Sequence, residues 1–236
     1  MALLSINPEV RYCAGMTSPL ANAVYRRLLT AQVIALLGTG LTTVALALLA
    51  YDLSGGAAGE VLGTALALKM LAYVFIAPVI GGFAHRLPRR GLLVGLDLGR
   101  AGIVVCLPFV SEVWHIYVLI VVLSAMSAGF TPTFQATIPD VLPDEAEYTR
   151  ALSLSRLAYD LENLLSPVLA GLALLVFTYD VLFSANAMAF LVSAALILSI
   201  RLPSPRPHER EHGNWRNVIF GVQAYLRTPR LQIGRA

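Results

Sequence analysis

The sequence predicts an all-α integral membrane protein with six transmembrane helices. Of its 236 residues, 57% are hydrophobic and only 13% are charged, and the mean hydropathy is +0.72. A soluble domain carries about 25% charged residues, so this chain has too little polar surface to cover a water-soluble core. The hydrophobic residues are also concentrated in six long runs. Composition and patterning together exclude a soluble globular protein, a disordered chain and a nucleic-acid-binding domain.

The first three apolar runs cover residues 28–51, 61–84 and 91–110. A membrane-crossing helix needs about 20 predominantly apolar residues, and helices are expected because lipid offers the backbone no hydrogen-bond partners. The first run contains no charged residue, the second is interrupted only by Lys69, and the third contains Asp97 and Arg100. Each run is too long for a β-barrel strand of about 10 residues.

The last three runs cover residues 114–138, 153–177 and 181–200. The fourth and sixth contain no Asp, Glu, Lys or Arg. The fifth carries Arg156, Asp160 and Glu162 in its first turns and is apolar from Asn163 onward. These three charges are therefore predicted to form a solvated helix end near the cytoplasm, with contact to the loop between spans 2 and 3 as the alternative.

The distribution of Arg and Lys predicts the orientation of the helices. Of the 17 basic residues, 14 precede span 1, follow span 6, or lie between spans 2 and 3 or spans 4 and 5. The loops on the other side contain none. Because basic residues favour the cytoplasmic side, both termini are predicted to be cytoplasmic in a multi-pass protein of a bacterial cytoplasmic (inner) membrane.

The chain divides into three parts around this bundle. Residues 1–26 are a cytoplasmic segment, of which residues 1–15 are a candidate mis-assigned start because Met16 opens an alternative one. Residues 27–200 are the six-helix bundle, and residues 201–236 are a polar linker followed by an amphipathic helix. That helix suits either the membrane interface or a protein surface. Its apolar positions are Trp215, Val218, Ile219, Val222, Tyr225 and Leu226.

Ionisable residues inside the spans are the candidates for a substrate or ion path, because burying a charge in a bilayer is costly. Lys69 lies near mid-membrane and is predicted to contact an anionic group of a substrate or a charge partner on another helix. Asp97 and Arg100 share one face of span 3. They either neutralise each other or join Arg89 or Arg90 in a gate. Gln32 in span 1 is a further polar candidate.

The loop between spans 2 and 3 carries the first resemblance to a known family. The segment from Gly81 to Arg90 is similar to the signature loop of the major facilitator superfamily, with Gly81, Arg86, Arg89 and Arg90 at matching positions. His85 replaces the Asp of the family pattern, and Pro88 replaces the second Gly. The resemblance implies that this loop packs the cytoplasmic helix ends together and forms part of an inward gate.

Further motifs resemble the macrolide-efflux and siderophore-exporter branch of that superfamily, also described as transmembrane secretion effectors. In span 5, Pro167 and Gly171 match the antiporter motif, while Glu162 occupies the place of an upstream Gly. The similarity also includes residues 51–53, 96–100 and 130–143. Small residues that are predicted to permit close helix approach are Gly38, Gly40, Gly63, Gly99, Gly102, Ala170 and Gly171.

The resemblance implies two inverted three-helix repeats forming half of a 12-helix fold, with the substrate site between two such halves. The chain would then be the N-terminal half of a secondary, proton-driven efflux transporter, truncated before a seventh helix and inactive alone. Its partners would be the lipid bilayer, a small-molecule substrate, and a missing C-terminal half or a second copy.

Two alternatives stay open: a six-span subunit that homodimerises into a transporter, and a non-transport membrane scaffold. An enzyme is not expected, because the sequence contains no phosphate-binding Gly-rich loop, nucleophile elbow or metal-spaced His/Cys cluster. No cofactor or metal is implied. Cys13 and Cys106 are predicted to be inert thiols rather than a disulfide framework.

Overall fold

A computed structural model of the chain describes residues 18–83 and 88–202. Every long regular element in this part is an α-helix, and six helices have 18 or more residues. A 3-10 turn, Pro19–Ala21, precedes the first helix. The six helices are α1 (Ala23–Ser54), α2 (Ala58–Phe83), α3 (Arg89–Cys106), α4 (Val113–Val141), α5 (Glu145–Leu174) and α6 (Tyr179–Leu198).

Five segments of the described chain are long and apolar enough to cross a membrane. The first, Ala23–Ile80, has 58 residues and includes α1 and most of α2. Predicted and observed helix ends agree within five residues everywhere except at the start of α5, which lies eight residues before the predicted one. The chain is therefore a multi-pass membrane protein, as its hydropathy predicts.

Helix ends are defined by local hydrogen bonds and backbone geometry. Asn22 caps α1 by accepting hydrogen bonds from the backbone N–H groups of residues 24 and 25 at 2.9 and 3.2 Å. Asp144 caps α5 by accepting one from the N–H of residue 147 at 2.9 Å. Both follow the preference of Asn and Asp for this position. Gly55 ends α1 with a φ of +53°, which glycine adopts without a steric penalty.

The helices pack around α1 and α4. Helix α1 contacts α2, α4, α5 and α6, helix α4 contacts α2, α3 and α5, and α3 also contacts α6. The apolar core has two clusters, one around Leu28, Phe134 and Ile197 and the other around Leu46, Ile116 and Phe183. The first lies toward the ends of the helices that carry the basic loops. Helix α5 is the least covered helix, since only 11% of its most apolar segment is buried.

Small residues at two positions of α1 let other helices approach closely. A Cβ added to Gly38 would lie 3.1 Å from the Cα of Asn186, and one added to Gly40 would lie 2.2 Å from the Cβ of Ser166. Gly99 faces the flexible side chain of Met126, and Ala170 is buried. The prediction of close approach is wrong for three positions where a Cβ would meet no atom within 4 Å, namely Gly63, Gly102 and Gly171.

Several predicted features lie outside the described residues. These are the segment 1–17, the middle of the signature loop at 84–87, and residues 203–236 with the amphipathic helix. The described part of the predicted N-terminal segment contains the 3-10 turn and the first turn of α1.

Candidate substrate and ion site

A cavity of about 50 Å³, lined by both apolar and polar side chains, lies between α1, α2 and α4, which is room for a few water molecules. Hydroxyl groups come from α1 and α4, and one cation comes from α2. A cavity with convergent polar groups is the default place for a ligand. The polar lining residues are Thr39, Thr42, Thr43, Lys69, Tyr73, Ser124 and Ser127.

Lys69 is the cation of this cavity. It follows the start of α2 by 11 residues, which is roughly 17 Å along the helix axis at 1.5 Å per residue. It is half-buried. Three ion pairs form among the described residues, and none of them includes Lys69. The predicted cation in the middle of span 2 therefore faces this cavity without a fixed counter-ion in contact.

Glu162 is placed differently from its predicted position at the cytoplasmic start of span 5. Helix α5 begins at Glu145, so Glu162 lies 17 residues into it. Gly40 lies equally far into α1, and the Glu162 Oε1 atom is 2.6 Å from where a Cβ on Gly40 would be. The prediction of a solvated helix end is wrong for this residue because the helix extends well before its apolar part. Thr39 and Thr43, on either side of Gly40 in α1, line the same cavity as Lys69.

Two tyrosines extend the polar surface beside Lys69 and Glu162. Tyr73 of α2 lies beside Ser127 of α4. The Tyr159 hydroxyl of α5 is 3.0 Å from the hydroxyl oxygen of Thr131. The sequence analysis did not identify either tyrosine. Tyr73 follows Lys69 by four residues and Tyr159 precedes Glu162 by three, so each tyrosine shares a helix face with its charged neighbour. This spacing is a sequence signal from which both tyrosines could have been identified.

Asp97 and Arg100 form a buried ion pair on α3, as their spacing predicts. Their exposed fractions are 0% and 5%. Ser193 of α6 donates a hydrogen bond to Asp97 Oδ2 at 2.7 Å. The Arg100 guanidinium carbon lies 4.2 and 4.4 Å from the ring centres of Phe130 and Phe190, a cation–π geometry. This arrangement fits mutual neutralisation, and no contact joins the pair to Arg89 or Arg90 among the described residues.

Gln32 lies away from the cavity lining and connects two helices. Its exposed fraction is 2%. Gln32 Nε2 donates a hydrogen bond to the Ser155 hydroxyl oxygen at 2.8 Å, and that hydroxyl donates one to Gln32 Oε1 at 2.9 Å. Gln32 therefore links α1 to α5 in this conformation, and its role in a substrate path stays a prediction.

The signature-loop residues are distributed around the start of α3. Arg89 forms an ion pair with Asp140 near the end of α4, with 2.9 Å between Nη1 and Oδ2. Arg90 donates a hydrogen bond to the carbonyl oxygen of Leu198 at the end of α6. Gly81 lies in the last turn of α2, and Arg86 lies outside the described residues. The two described arginines therefore join α3 to α4 and α6 at one end of the bundle.

The antiporter-like residues Pro167 and Gly171 are exposed on α5. Their neighbour Ser166 packs against Gly40 instead. This part of α5 thus presents one face to α1 and leaves the motif residues on another. Within residues 18–83 and 88–202, no group of three or more His, Cys, Asp or Glu residues is arranged to hold a metal ion.

Comparison with known proteins identifies the family. The profile of the Major Facilitator Superfamily matches residues 28–233. The chain belongs to the major facilitator superfamily. This confirms the resemblance that the motifs indicate. The MFS-type transporter YfiS of Bacillus subtilis is 31% identical over 168 residues, which is 70% of this chain and 40% of that protein.

Other relatives in the superfamily are named for efflux. Macrolide efflux protein A of Enterococcus faecalis is 24% identical over 60% of this chain and 47% of its own length. Macrolide efflux protein A of Streptococcus pyogenes is 23% identical over 73% of this chain and 43% of its own length. The chain thus spans less than half the length of these curated relatives.

Solved structures of the superfamily have the same helical arrangement. A peptide transporter, POT, solved with alafosfalin, has a TM-score of 0.63 and 15% identity over 86% of this chain and 44% of its own. A bacterial homologue of the human lysosomal transporter Spinster, inward-facing and unoccupied, has a TM-score of 0.61 and 14% identity over 91% of this chain and 50% of its own. At such low identity these likenesses establish the fold alone.

Proposed function

We propose that this chain is one six-helix half of a secondary active transporter that exports a small molecule from a bacterium in exchange for protons. The observation that carries the proposal is the cavity that Lys69 lines together with hydroxyl groups of α1 and α4, within a predominantly apolar helix bundle. An intramembrane charge facing a cavity is a functional-site hypothesis by default. In this proposal the chain moves a solute and catalyses no chemical reaction.

Six membrane crossings are part of the proposal. As a single helix, the 58 residues of Ala23–Ile80 would be about 87 Å long, against a hydrocarbon core of about 30 Å. Gly55 breaks this segment, and α1 and α2 contact each other, as two antiparallel crossings would.

The helix contacts also support two inverted three-helix repeats. If α1 is exchanged with α4, α2 with α5 and α3 with α6, the contacts of α1 with α2, α5 and α6 map onto those of α4 with α5, α2 and α3. The α1–α4 and α3–α6 contacts map onto themselves, and the small α5–α6 contact has no counterpart of similar size among the described residues. Repeats of this kind place substrate sites at the repeat interface near the middle of the membrane.

The orientation with both termini in the cytoplasm rests on the basic loops. The Arg89–Asp140 pair and the Arg90 contact with α6 lie at the end where those loops are. We therefore place this end in the cytoplasm and assign it to the gate that opens and closes on the cytoplasmic side.

In this proposal a complete pathway requires a second six-helix unit, because transporters of this superfamily are built from two six-helix halves. The unit is either a complementary C-terminal half or a second copy of this chain. The wide uncovered face of α5 favours a partner there. A membrane scaffold without transport is the remaining alternative, and the transport assay distinguishes it.

Transport is tested in proteoliposomes with an imposed proton gradient and a radiolabelled macrolide as the probe, since two relatives are named for macrolide efflux. Uptake with the chain alone indicates a second copy. Uptake only with a complementary C-terminal half indicates a two-half transporter.

In the active form, Lys69→Ala should reduce uptake by about tenfold, a loss of about 1.4 kcal/mol, while Lys69→Arg should retain most of it. Equal uptake by Lys69→Ala removes Lys69 from the site.

A further inference from the structure

We infer that Glu162 is the carboxylate that binds the transported proton, and that Lys69 is the cation that balances it when the proton has left. This inference rests on the proposed function, because it names the residue through which proton exchange would occur. It is carried by the position of Glu162 in the middle of α5, against Gly40. Thr39 and Thr43, on either side of Gly40 in α1, line the same cavity as Lys69.

Gly40 provides the space for the carboxylate. The Glu162 Oε1 atom is 2.6 Å from where a Cβ at this position would be, which is far inside van der Waals contact. Any other residue would push the side chain of Glu162 away from α1. The absence of a side chain at Gly40 therefore lets a charged group lie against an apolar helix, 17 residues from the start of both helices.

The Lys69 and Glu162 charges interact without being in contact. No nitrogen–oxygen distance between them is within 4.0 Å, since none of the ion pairs among the described residues includes either side chain. Both side chains are half-buried. The Asp97–Arg100 pair, in contrast, is in direct contact, is almost fully buried and is held by Ser193. Of these two intramembrane pairs, only the Lys69–Glu162 pair leaves its carboxylate accessible to a proton.

The other groups that face Glu162 do not supply a competing charge. Helix α1 presents Gly40 and threonine hydroxyls at this level, and α4 presents Ser127 and Thr131. Helix α6 has no titratable residue between Asp180 and its end. The tyrosines Tyr73 and Tyr159 are neutral hydroxyls, and Arg100 near them is neutralised by Asp97. Lys69 is thus the cation that acts on Glu162 within the described residues.

Proton binding changes the charge of the cavity by one. With Glu162 ionised, its negative charge and the positive charge of Lys69 cancel. When a proton bonds to a carboxylate oxygen, the pair has a net charge of +1 and Lys69 loses its counter-charge. Lys69 is then available to an anionic group of a ligand or to a carboxylate elsewhere in the pathway. Proton binding and ligand binding are in this way coupled through one side chain.

The test measures the proton directly, by infrared spectroscopy of the purified full chain in lipid vesicles during a pH titration. The wild type should show a protonated-carboxyl C=O band that Glu162→Gln lacks and Glu162→Asp retains. The matched control is Asp160→Asn, on the same helix but exposed and paired with Arg156, which should leave the band unchanged. In Lys69→Met the band should appear at a pH higher by about 1 unit, because a neighbouring cation favours the ionised carboxylate.

Two results would overturn the inference. One is a titrating band that persists unchanged in Glu162→Gln while circular dichroism shows the wild-type helix content. The other is an unshifted band in Lys69→Met, which would separate Lys69 from Glu162. The titration needs no transport, so its failure is distinguishable from failure of the proposed function. A titrating Glu162, with no uptake by the chain either alone or with a complementary C-terminal half, would contradict the transport proposal alone.

Discussion

Asp97 and Arg100 show how a charged pair is made stable inside a transmembrane helix. The guanidinium has its counter-ion one turn away on the same helix, and two phenylalanine rings cover it. Ser193 fixes the carboxylate from α6. Charge pairing, a hydrogen bond and cation–π contacts together stabilise this buried ion pair. The pair therefore joins α3 to α4 and α6.

Removing one charge of this pair should be far more harmful than removing both. Asp97→Asn leaves Arg100 buried without a counter-ion, and we expect it to lower the free energy of unfolding by about 3–5 kcal/mol. The double variant Asp97→Leu/Arg100→Met leaves no charge behind and should lose much less. Unfolding of the purified protein in detergent, followed by circular dichroism, measures both. Equal losses in the two variants would contradict this account.

The positions of charged residues could be predicted from the sequence better than their contacts. The spacing of Asp97 and Arg100 predicts their pairing correctly, because residues three apart on a helix are neighbours. The predicted position of Glu162 at a helix start is wrong, because the apolar run begins near Asn163 whereas α5 begins after its cap, Asp144. The approach of Glu162 to Gly40 joins residues 122 positions apart and depends on how α1 and α5 pack, which no local pattern contains.

At the scale of helices, close packing is concentrated at two glycines of α1 that face different helices, Gly38 toward α6 and Gly40 toward α5. Gly40→Ala would place a Cβ 2.2 Å from the Cβ of Ser166, so α1 and α5 must separate. We expect a destabilisation of about 1–3 kcal/mol, typical of overpacking. Gly63→Ala is the matched control, since no atom lies within 4 Å of the added Cβ. It should be neutral or slightly stabilising, because Ala favours helix more than Gly does.

The measurement for these two variants is the midpoint of thermal unfolding in detergent. Gly38→Ala, which meets the backbone of Asn186, should behave like Gly40→Ala. A wild-type midpoint for Gly40→Ala, together with a lowered midpoint for Gly63→Ala, would show that the helices pack differently from this description.

The Arg89–Asp140 pair joins the start of α3 to the end of α4 and is partly buried, with side-chain exposures of 13% and 19%. Arg89→Ala and Asp140→Ala should each weaken this junction. A double-mutant cycle should give an interaction energy of about 1 kcal/mol, and the charge-reversed pair Arg89→Asp/Asp140→Arg should recover part of the loss. Additive losses in the unfolding free energy, with no recovery on reversal, would contradict a direct interaction.

The helices themselves could be predicted from apolar run length, since five of the six are predicted within five residues at both ends. The hydropathy signal is strong because each helix must be apolar over most of its length to cross lipid. Which glycines lie at helix contacts could not be predicted, because Gly63 and Gly40 look equivalent in the sequence. Only the packing of α1 against α5 distinguishes them.

For the whole molecule, the proposed topology places Gly56, between α1 and α2, outside the cell and Ala146, in the first turn of α5, in the cytoplasm. Single cysteines at these positions, introduced after Cys13→Ser and Cys106→Ser, test it. A membrane-impermeant maleimide should label Gly56→Cys in intact cells and label Ala146→Cys only after permeabilisation. The opposite labelling pattern would show that the topology is inverted. If both cysteines were labelled equally from the same side of the membrane, the chain could not cross it an odd number of times between residues 56 and 146.

The placement of Asp97 and Arg100 on one helical turn also affects how the protein is made. Both charges leave the ribosome almost together, so the part of α3 that follows Arg90 can enter the bilayer without net charge before α4 or α6 exists. Lys69 precedes Glu162 by 93 residues, which is a delay of roughly 5–20 s at synthesis rates of about 5–20 residues per second. During biogenesis, α2 must therefore hold an uncompensated charge until α5 emerges, whereas α3 is balanced from its first moment in the membrane.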